Sequence, residues 1–247
     1  MDQEQINKNW SRSSEMYNEI IHDELDSFRP AAWIKRILEN APQKDCLNIL
    51  DTGCGPGFFS IILSQKGHRV IAIDGAQGML AKAKQNADAY GVEPVFLDMD
   101  CHSLLFVDNS FDLIVSRNVT HALRRHETVY KEWLRVLRPG GVLLIFDANW
   151  HLDRVDKKLA AENKRRREEC LRVYGSTFGD QKSSPEEYEK EPHVLGGNIR
   201  PDWDVALLER VGYRNIAFDR NIIEELWDDK EKLIYGATPM FMIRAVK

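Results

Sequence analysis

The chain has 247 residues, of which 43% are hydrophobic and 30% are charged, and its formal net charge is -5 at pH 7. A chain of this length and composition is expected to fold as a globular protein with a sizeable core, which excludes a fibrous or largely disordered chain. The acidic balance argues against nucleic acid as a partner.

Cysteine usage and apolar runs indicate the compartment. The four cysteines are scattered and form neither a C-x-x-C pair nor a zinc-binding spacing, which favours free thiols in a reducing compartment and predicts no metal site. The first residues show no basic segment followed by an apolar run, and no stretch approaches the roughly 18 apolar residues of a membrane span. We therefore expect a cytoplasmic protein without a membrane partner.

The residue pattern divides the chain into four parts. Residues 1–45 predict helices, because apolar residues recur at helical spacing and Pro30 suits a helix start. In residues 46–150, short β-branched runs alternate with amphipathic segments, a pattern typical of a parallel sheet with helices on both faces. Residues 151–200 contain a charged helix and a stretch without strand pattern, which we interpret as an inserted cap. Residues 201–247 predict a helix and two strands that complete the core.

The segment DTGCGPG at residues 51–57 joins the first predicted strand to a helix, and its bare glycine backbone lets a ligand lie across the turn. A P-loop needs Lys and Ser or Thr after its second glycine, but two phenylalanines follow here. A dinucleotide fingerprint needs a glycine where Phe58 stands. The carboxylate of Asp51 at the strand end suits a cationic ligand better than a pyrophosphate.

This turn resembles the first motif of the class I S-adenosylmethionine-dependent methyltransferases, and the likeness extends from about residue 46 to 147. VIAIDGAQGML places Asp74 at the end of the second strand, MDCHSLLFVDNSFDLIVSRN is similar to the third family segment, and LRVLRPGGVLLI ends a helix at Pro139 before the fifth strand. The resemblance implies a three-layer, Rossmann-like α/β fold with a seven-stranded sheet whose last strand alone is antiparallel. It also implies methyl transfer with S-adenosylmethionine as the cofactor.

The resemblance also implies roles for individual residues. Asp74 takes the ribose hydroxyls, Met79 lies against the adenine, Asp100 takes the adenine amino group, and the backbone amide of Cys101 meets the ring. The predicted cofactor-binding residues are Asp51, Gly53, Gly55, Gly57, Asp74, Met79, Asp100, Cys101 and Arg117.

Ligands of open α/β sheets lie beyond the carboxyl ends of the strands, which points to the residues after strands four and five. His121 is our first candidate for a general base, because the ordinary histidine pKa of about 6.5 suits neutral pH. Asp147 and His151 are further catalytic candidates, as orienting or proton-accepting groups. Other histidines, such as His126, have no partner in sequence and are expected at the surface. The candidate acceptor-binding residues are Tyr17, Asn118, Asn149 and Trp150.

The two flanking segments are expected to enclose the site. The N-terminal helices form a lid over the cofactor, and the size of the 151–200 insertion predicts an enclosed small-molecule acceptor. The sequence leaves open whether O, N, S or C is methylated, and it leaves open the oligomeric state. Two other functions also stay open, a non-catalytic S-adenosylmethionine sensor and a nicotinamide-dependent reductase.

Overall fold

The computed structural model describes residues 3–177, 195 and 197–247, so part of the predicted cap, 178–194 and 196, lies outside the described residues. The strands are β1 (Asn48–Thr52), β2 (Arg69–Asp74), β3 (Val95–Asp98), β4 (Phe111–Arg117), β5 (Leu137–Asp147), β6 (Arg214–Asp219) and β7 (Phe241–Val246). The described helices are α1 (Gln3–Arg12), α2 (Ser14–Leu25), α3 (Arg29–Asn40), α4 (Phe58–Gln65), α5 (Gln77–Ala89), α6 (His126–Val136), α7 (Lys157–Tyr174), α8 (Asp202–Val211), α9 (Ile223–Leu226) and α10 (Asp229–Tyr235). Short 3-10 turns at Thr120–Ala122 and Leu152–Arg154 follow β4 and β5.

The seven strands form one sheet in the order β3-β2-β1-β4-β5-β7-β6. Strand β7 runs antiparallel to both of its neighbours, and the other pairs are parallel. This confirms the predicted sheet with a single antiparallel last strand. The strand order reverses between β1 and β4, so the turns after these strands open a crevice at the carboxyl edge of the sheet, where α/β folds bind ligands.

Two apolar clusters cover the two faces of the sheet, because successive side chains of a strand point to opposite sides. On one face, Trp33 of α3 is buried and packs edge to face against Phe59 and Phe146, with ring centroids 4.9 and 5.0 Å away. On the other face, Trp133 of α6 packs with Leu208 of α8. These clusters hold the carboxyl ends of β1, β4 and β5 in fixed relative positions.

Helix α1 lies directly on the turn that follows β2. A Cβ at Gly78 would come within 2.7 Å of the backbone oxygen of Ser11, and a Cβ at Gly75 would come within 2.8 Å of the side chain of Asn7. The N–H of Gly78 donates to Ser11 Oγ at 3.3 Å. Glycine is therefore required at Gly78, where the neighbouring atoms are backbone, whereas at Gly75 the Asn7 side chain could move aside.

Helix α2 is tied to α5 and to the glycine turn. The side-chain amide of Asn86 donates to Asn18 Oδ1 at 2.8 Å and to the carbonyl of Pro56 at 2.9 Å. Lys82 adds an ion pair with Glu15 at 2.5 Å. The two N-terminal helices therefore lie beside the turns that end β1 and β2. None of the helices in the described part of the chain is both long and apolar enough to cross a bilayer.

Two local predictions are wrong. The helix expected to reach Pro139 stops before it, because Leu137 already pairs with Phe111 and begins β5. His126, expected at the surface, is only 5% exposed, and its Nε2 donates to the carbonyl of Thr120 at 2.7 Å. Its partner lies in the preceding loop, and helical periodicity gives no signal for a contact of that kind.

Candidate active site

The glycine turn is closed on one side and open on the other. Gly53, Gly55 and Gly57 have φ values of 65°, 53° and 95°, a conformation that favours glycine. A Cβ at Gly53 would meet the side chain of Val119 at 2.5 Å, and one at Gly57 would meet Ala83 at 3.2 Å, whereas a Cβ at Gly55 would meet nothing within 4 Å. The Cβ position of Gly55 therefore borders open space.

Asp74 at the end of β2 holds this turn in place. Its Oδ2 accepts the N–H of Gly55 at 2.9 Å, and its Oδ1 accepts the N–H of Ala76 at 2.8 Å. Burial raises the pKa of Asp74, and the two backbone hydrogen bonds oppose that shift. Each carboxylate oxygen also has a second lone pair. This lone pair can accept a hydrogen bond from a ligand hydroxyl.

Asp51 lies behind the turn. Asp51 is only 3% exposed, and its Oδ2 accepts a hydrogen bond from the hydroxyl of Ser60 at 2.6 Å. Burial raises the pKa of Asp51 to about 6, although the Ser60 hydrogen bond and the charge of Arg117 oppose the shift. The geometry favours a role in supporting α4, and direct contact with the cofactor stays a prediction.

We expect Asp51→Asn to reduce the pH dependence of stability between pH 4 and pH 6. The folded carboxyl has its pKa raised to about 6 from an ordinary 3.8. Its stabilising effect is therefore complete below about pH 4 and is lost as the pH rises through 6, a difference of about 3 kcal/mol. Urea unfolding at pH 4 and pH 7 measures it. From pH 4 to pH 7, the free energy of unfolding of the wild type should fall by about 3 kcal/mol more than that of the variant. Equal decreases in the two proteins would contradict the raised pKa of Asp51.

Asp100 and its two successors follow β3. Oδ1 of Asp100 accepts the backbone N–H of His102 at 2.9 Å and lies 2.6 Å from His102 Nδ1. Burial alone raises the pKa of Asp100, but the contacts with His102 outweigh burial and lower it, and 43% of the Asp100 side chain is exposed. This carboxylate is ionised at neutral pH and accessible to a donor such as an amino group.

The same three residues form a cluster of metal-ligand types. Their ligand atoms lie within 4.8 Å of one another. Burial raises the pKa of the Cys101 thiol to about 12, so without a metal the thiol keeps its proton at neutral pH. Exposed acidic groups are common without a metal, so this proximity does not by itself assign one. Met79, the other predicted adenine contact, is buried in α5.

Arg117 is engaged within the protein. Its guanidinium donates to Glu24 of α2 at 2.8 Å and lies over the rings of Phe58 and Phe59, 4.6 and 5.2 Å from their centroids. Glu24 lies 93 positions from Arg117 along the chain, so local spacing contains no signal for this pair. The geometry favours a structural role in which Arg117 connects α2 to β4. The predicted contact of Arg117 with the cofactor stays a prediction.

His121 and Asp147 form a pair after β4 and β5. Nδ1 of His121 lies 3.0 Å from Asp147 Oδ1, and the backbone N–H of His121 donates to Oδ2 at 2.8 Å. Because an ionised carboxylate only accepts, the proton of a neutral ring is on Nδ1 and the lone pair is on Nε2. Among the described residues, Nε2 has no hydrogen-bond partner. This is the arrangement of an oriented general base.

Asp147 is fully buried and surrounded by donors. The groups that donate to its oxygens are the Thr120 hydroxyl, Nδ1 and the backbone N–H of His121, the Ala148 N–H and Trp150 Nε1. Burial alone raises the pKa of Asp147, but the charges of His121 and Arg200 and the hydrogen bonds hold it well below the ordinary range. Of the two roles left open for Asp147, the geometry favours orienting His121 over accepting a proton.

One pocket brings four of the predicted residues together. Its lining includes His121, Asn149, Trp150, His151, Leu152, Val155, Leu195 and Asn198. The rings of His121 and His151 have centroids 5.7 Å apart. The amide of Asn149 is bonded in both directions to the backbone of Arg200, with both distances 3.0 Å, so its donor and acceptor already have partners. Asn149 therefore connects the end of the insertion to β5.

Two predicted acceptor residues are not among the described lining of this pocket. Tyr17 lies on α2 and makes an edge contact with Trp10 at 5.5 Å. Asn118 is exposed, has a φ of 56° and donates its N–H to the carbonyl of Phe146 at 2.9 Å. Contacts of either with an acceptor stay predictions.

Sequence reasoning missed Arg200. Its side chain is fully buried and reaches Asp147 and Asp204. The i, i+4 spacing of Arg200 and Asp204 before a helix is a signal for an ion pair. It is not a signal for burial, because such pairs usually lie on a solvated surface.

Comparisons with known proteins agree with this geometry. Residues 50–145 match the family described as "Methyltransferase domain". The demethylmenaquinone methyltransferase of Thermus thermophilus is 33% identical over 117 residues, 47% of this chain and 53% of the relative. The tRNA 5-carboxymethoxyuridine methyltransferase of Escherichia coli is 34% identical over 122 residues, 48% of this chain and 46% of the relative. The chain thus spans about half the length of these relatives.

The fold is similar beyond the matched segment. A SAM-dependent methyltransferase from Aquifex aeolicus superposes with a TM-score of 0.57 and 21% sequence identity, covering 93% of this chain and 97% of that chain. At this identity the likeness concerns the fold. The match over residues 50–145 and the names of these relatives support a class I S-adenosylmethionine-dependent methyltransferase.

Proposed function

We propose that the protein transfers a methyl group from S-adenosylmethionine to a small-molecule acceptor, with His121 as the general base. The observation that carries this proposal is a juxtaposition. The open glycine turn with Asp74 and the His121–Asp147 pair follow neighbouring strands at one edge of one sheet. Methyl transfer to a proton-bearing acceptor needs both a cofactor cradle and a base beside it.

The described residues fit the cofactor. A side chain at Gly55 would enter open space, as expected where a ligand approaches the backbone. Asp74 would hold the ribose hydroxyls and Asp100 the adenine amino group, because both are carboxylates at strand ends. When bound, the cofactor supplies a methyl group that its positively charged sulfur has already activated.

The protein residues then have three tasks. Asp147 keeps the His121 ring oriented with Nε2 available. Nε2 takes the proton of a hydroxyl, thiol or amine as that group becomes a nucleophile, and the resulting imidazolium is stabilised by the adjacent carboxylate. Helices α1 and α2, as the proposed lid, exclude water, which strengthens these charge interactions.

The proposed acceptor has an apolar part, because the described lining of the pocket beside His121 is largely apolar. Trp150, Leu152 and Val155 line it beside polar groups. The relatives differ in acceptor by name, demethylmenaquinone in one case and tRNA in the other. The net charge of -5 favours a small molecule over a nucleic acid for this chain.

We expect Asp74→Ala to weaken S-adenosylmethionine binding by about 1.5 to 3 kcal/mol, roughly 10- to 150-fold, because a charge-assisted hydrogen bond is lost. Isothermal titration gives the dissociation constant directly. The matched control is Asp219→Ala, which removes a carboxylate from the end of β6 at the other side of the sheet. Its affinity should stay at the wild-type value. An unchanged affinity in Asp74→Ala would reassign Asp74 to a structural role.

Turnover distinguishes the enzyme from a sensor. Purified protein with S-adenosylmethionine and a panel of phenols, carboxylic acids, amines and thiols should release S-adenosylhomocysteine with at least one class. Cofactor binding without product from any class would favour the sensor. Binding of NADH instead of S-adenosylmethionine would favour the reductase.

A further inference from the structure

A buried charge cluster lies behind the His121–Asp147 pair. Nη1 of Arg200 lies 3.0 Å from Asp147 Oδ2, and its Nε donates to Asp204 Oδ2 at 2.6 Å. The side chains of all three residues are fully buried. Nη2 of Arg200 donates to the Thr120 hydroxyl, which in turn donates to Asp147. Arg200 therefore contacts the carboxylate that orients His121 both directly and through one hydroxyl.

The charges in this cluster do not balance while His121 is neutral. Asp147 and Asp204 contribute two negative charges and Arg200 one positive charge. The titratable and charged groups around the pair are His126 and Tyr130 on α6, His151 after β5, Arg200, and Asp204 on α8. Burial lowers the pKa of His126 and raises that of Tyr130 well above its ordinary value, so both are neutral at pH 7. Counting Asp147, Arg200 and Asp204 alone, a proton on His121 Nε2 brings the sum of charges to zero.

We propose that Arg200 and Asp204 are positioning residues that set how tightly His121 holds its proton. Arg200 offsets part of the Asp147 charge and so keeps Nε2 available as a base. Asp204 offsets Arg200 in turn and prevents it from suppressing the imidazolium that forms during turnover. The base role of His121 rests on the proposed function, whereas the charge coupling itself does not.

The geometry also connects the insertion to the base. Arg200 lies at the end of the inserted segment, and its backbone is held by Asn149 of the loop after β5. A purely structural reading assigns the cluster only to anchoring this segment. That interpretation predicts that the variants lose stability. It does not predict that the titration midpoint of His121 moves in opposite directions when Arg200 and Asp204 are replaced.

The test is a histidine NMR titration of the full chain without cofactor or acceptor. The protein has seven histidines, and the ring signal that disappears in His121→Gln identifies His121. In Arg200→Gln, the titration midpoint of His121 should move up by about one pH unit or more, because a nearby positive charge is gone. In Asp204→Asn, it should move down by about half a unit, because a negative charge is gone.

Two further variants separate charge from packing. Arg200→Lys keeps the charge and should keep the midpoint within about 0.3 units. Tyr130→Phe is the matched control, because it removes a hydrogen bond to Asp204 without changing the charge of the cluster. Opposite shifts in Arg200→Gln and Asp204→Asn support the proposal, whereas shifts in one direction or none overturn it. Should Arg200→Gln not fold, Asp204→Asn decides alone, since its amide keeps the shape of the carboxyl. Because no methyl transfer is measured, failure of the proposed function leaves this result interpretable.

Discussion

Gly55→Val is expected to abolish S-adenosylmethionine binding while the protein stays folded. A Cβ at this position meets nothing within 4 Å, so a valine side chain starts into the open space beside the turn. The proposed cofactor needs that same space. Isothermal titration should show no heat of binding at concentrations that saturate the wild type, a loss of at least about 100-fold or 2.7 kcal/mol.

Backbone strain has to be separated from this steric effect. Gly55 has a φ of 53°, where any side chain costs about 1 to 2 kcal/mol of stability. Gly91→Val is the matched control, because Gly91 has a φ of 66°, has open space around its Cβ position and lies beyond the far end of α5. Both variants should lose similar stability, and Gly91→Val alone should keep its affinity. Wild-type affinity in Gly55→Val would remove the glycine turn from the site.

His121→Ala is expected to reduce kcat by about 10²- to 10⁴-fold on a proton-bearing acceptor, the usual contribution of a general base. The affinity for S-adenosylmethionine should change less than about threefold, because Nε2 serves the acceptor. Single-turnover release of S-adenosylhomocysteine measures the chemical step. Added imidazole should restore part of the rate, since the missing ring leaves a space of its own size beside Asp147.

Two further variants test the same role of His121, one expected to lower kcat and one expected to leave it unchanged. Asp147→Asn should also reduce kcat strongly, because an amide can donate to Nδ1 and so favour the tautomer that lacks a lone pair on Nε2. His68→Ala should leave kcat unchanged, because His68 precedes β2 at the amino ends of the strands. Full activity of His121→Ala on an acceptor that must lose a proton would eliminate His121 as the base.

Local patterns were sufficient to predict the sheet and its ligand edge. Strands such as β1 and β4 are short β-branched runs between amphipathic segments, and this alternation predicts a parallel sheet. The glycines Gly53, Gly55 and Gly57 predict a turn between a strand and a helix, and in the structure all three have positive φ values. The position of His121 near Asp147 also follows, because parallel neighbouring strands place their carboxyl ends together.

Long-range side-chain partners were not predictable in the same way. Arg117 pairs with Glu24 of α2, and Arg200 reaches Asp147 from 53 positions away along the chain, so no local window contains either pair. A charged residue is rarely buried, and its burial becomes favourable only when partners from several elements converge on it. Sequence spacing of one element carries no information about that convergence. His126 was assigned to the surface for the same reason.

The most direct test of the account is isothermal titration of the purified protein with S-adenosylmethionine, S-adenosylhomocysteine and NADH in parallel. The glycine turn, Asp74 and Asp100 predict micromolar binding of the first two ligands and no binding of NADH. That outcome would reduce the remaining question to a search for the acceptor. Binding of NADH alone, or binding of none of the three, would contradict the assigned cofactor site, and the proposed role of His121 would lose its support with it.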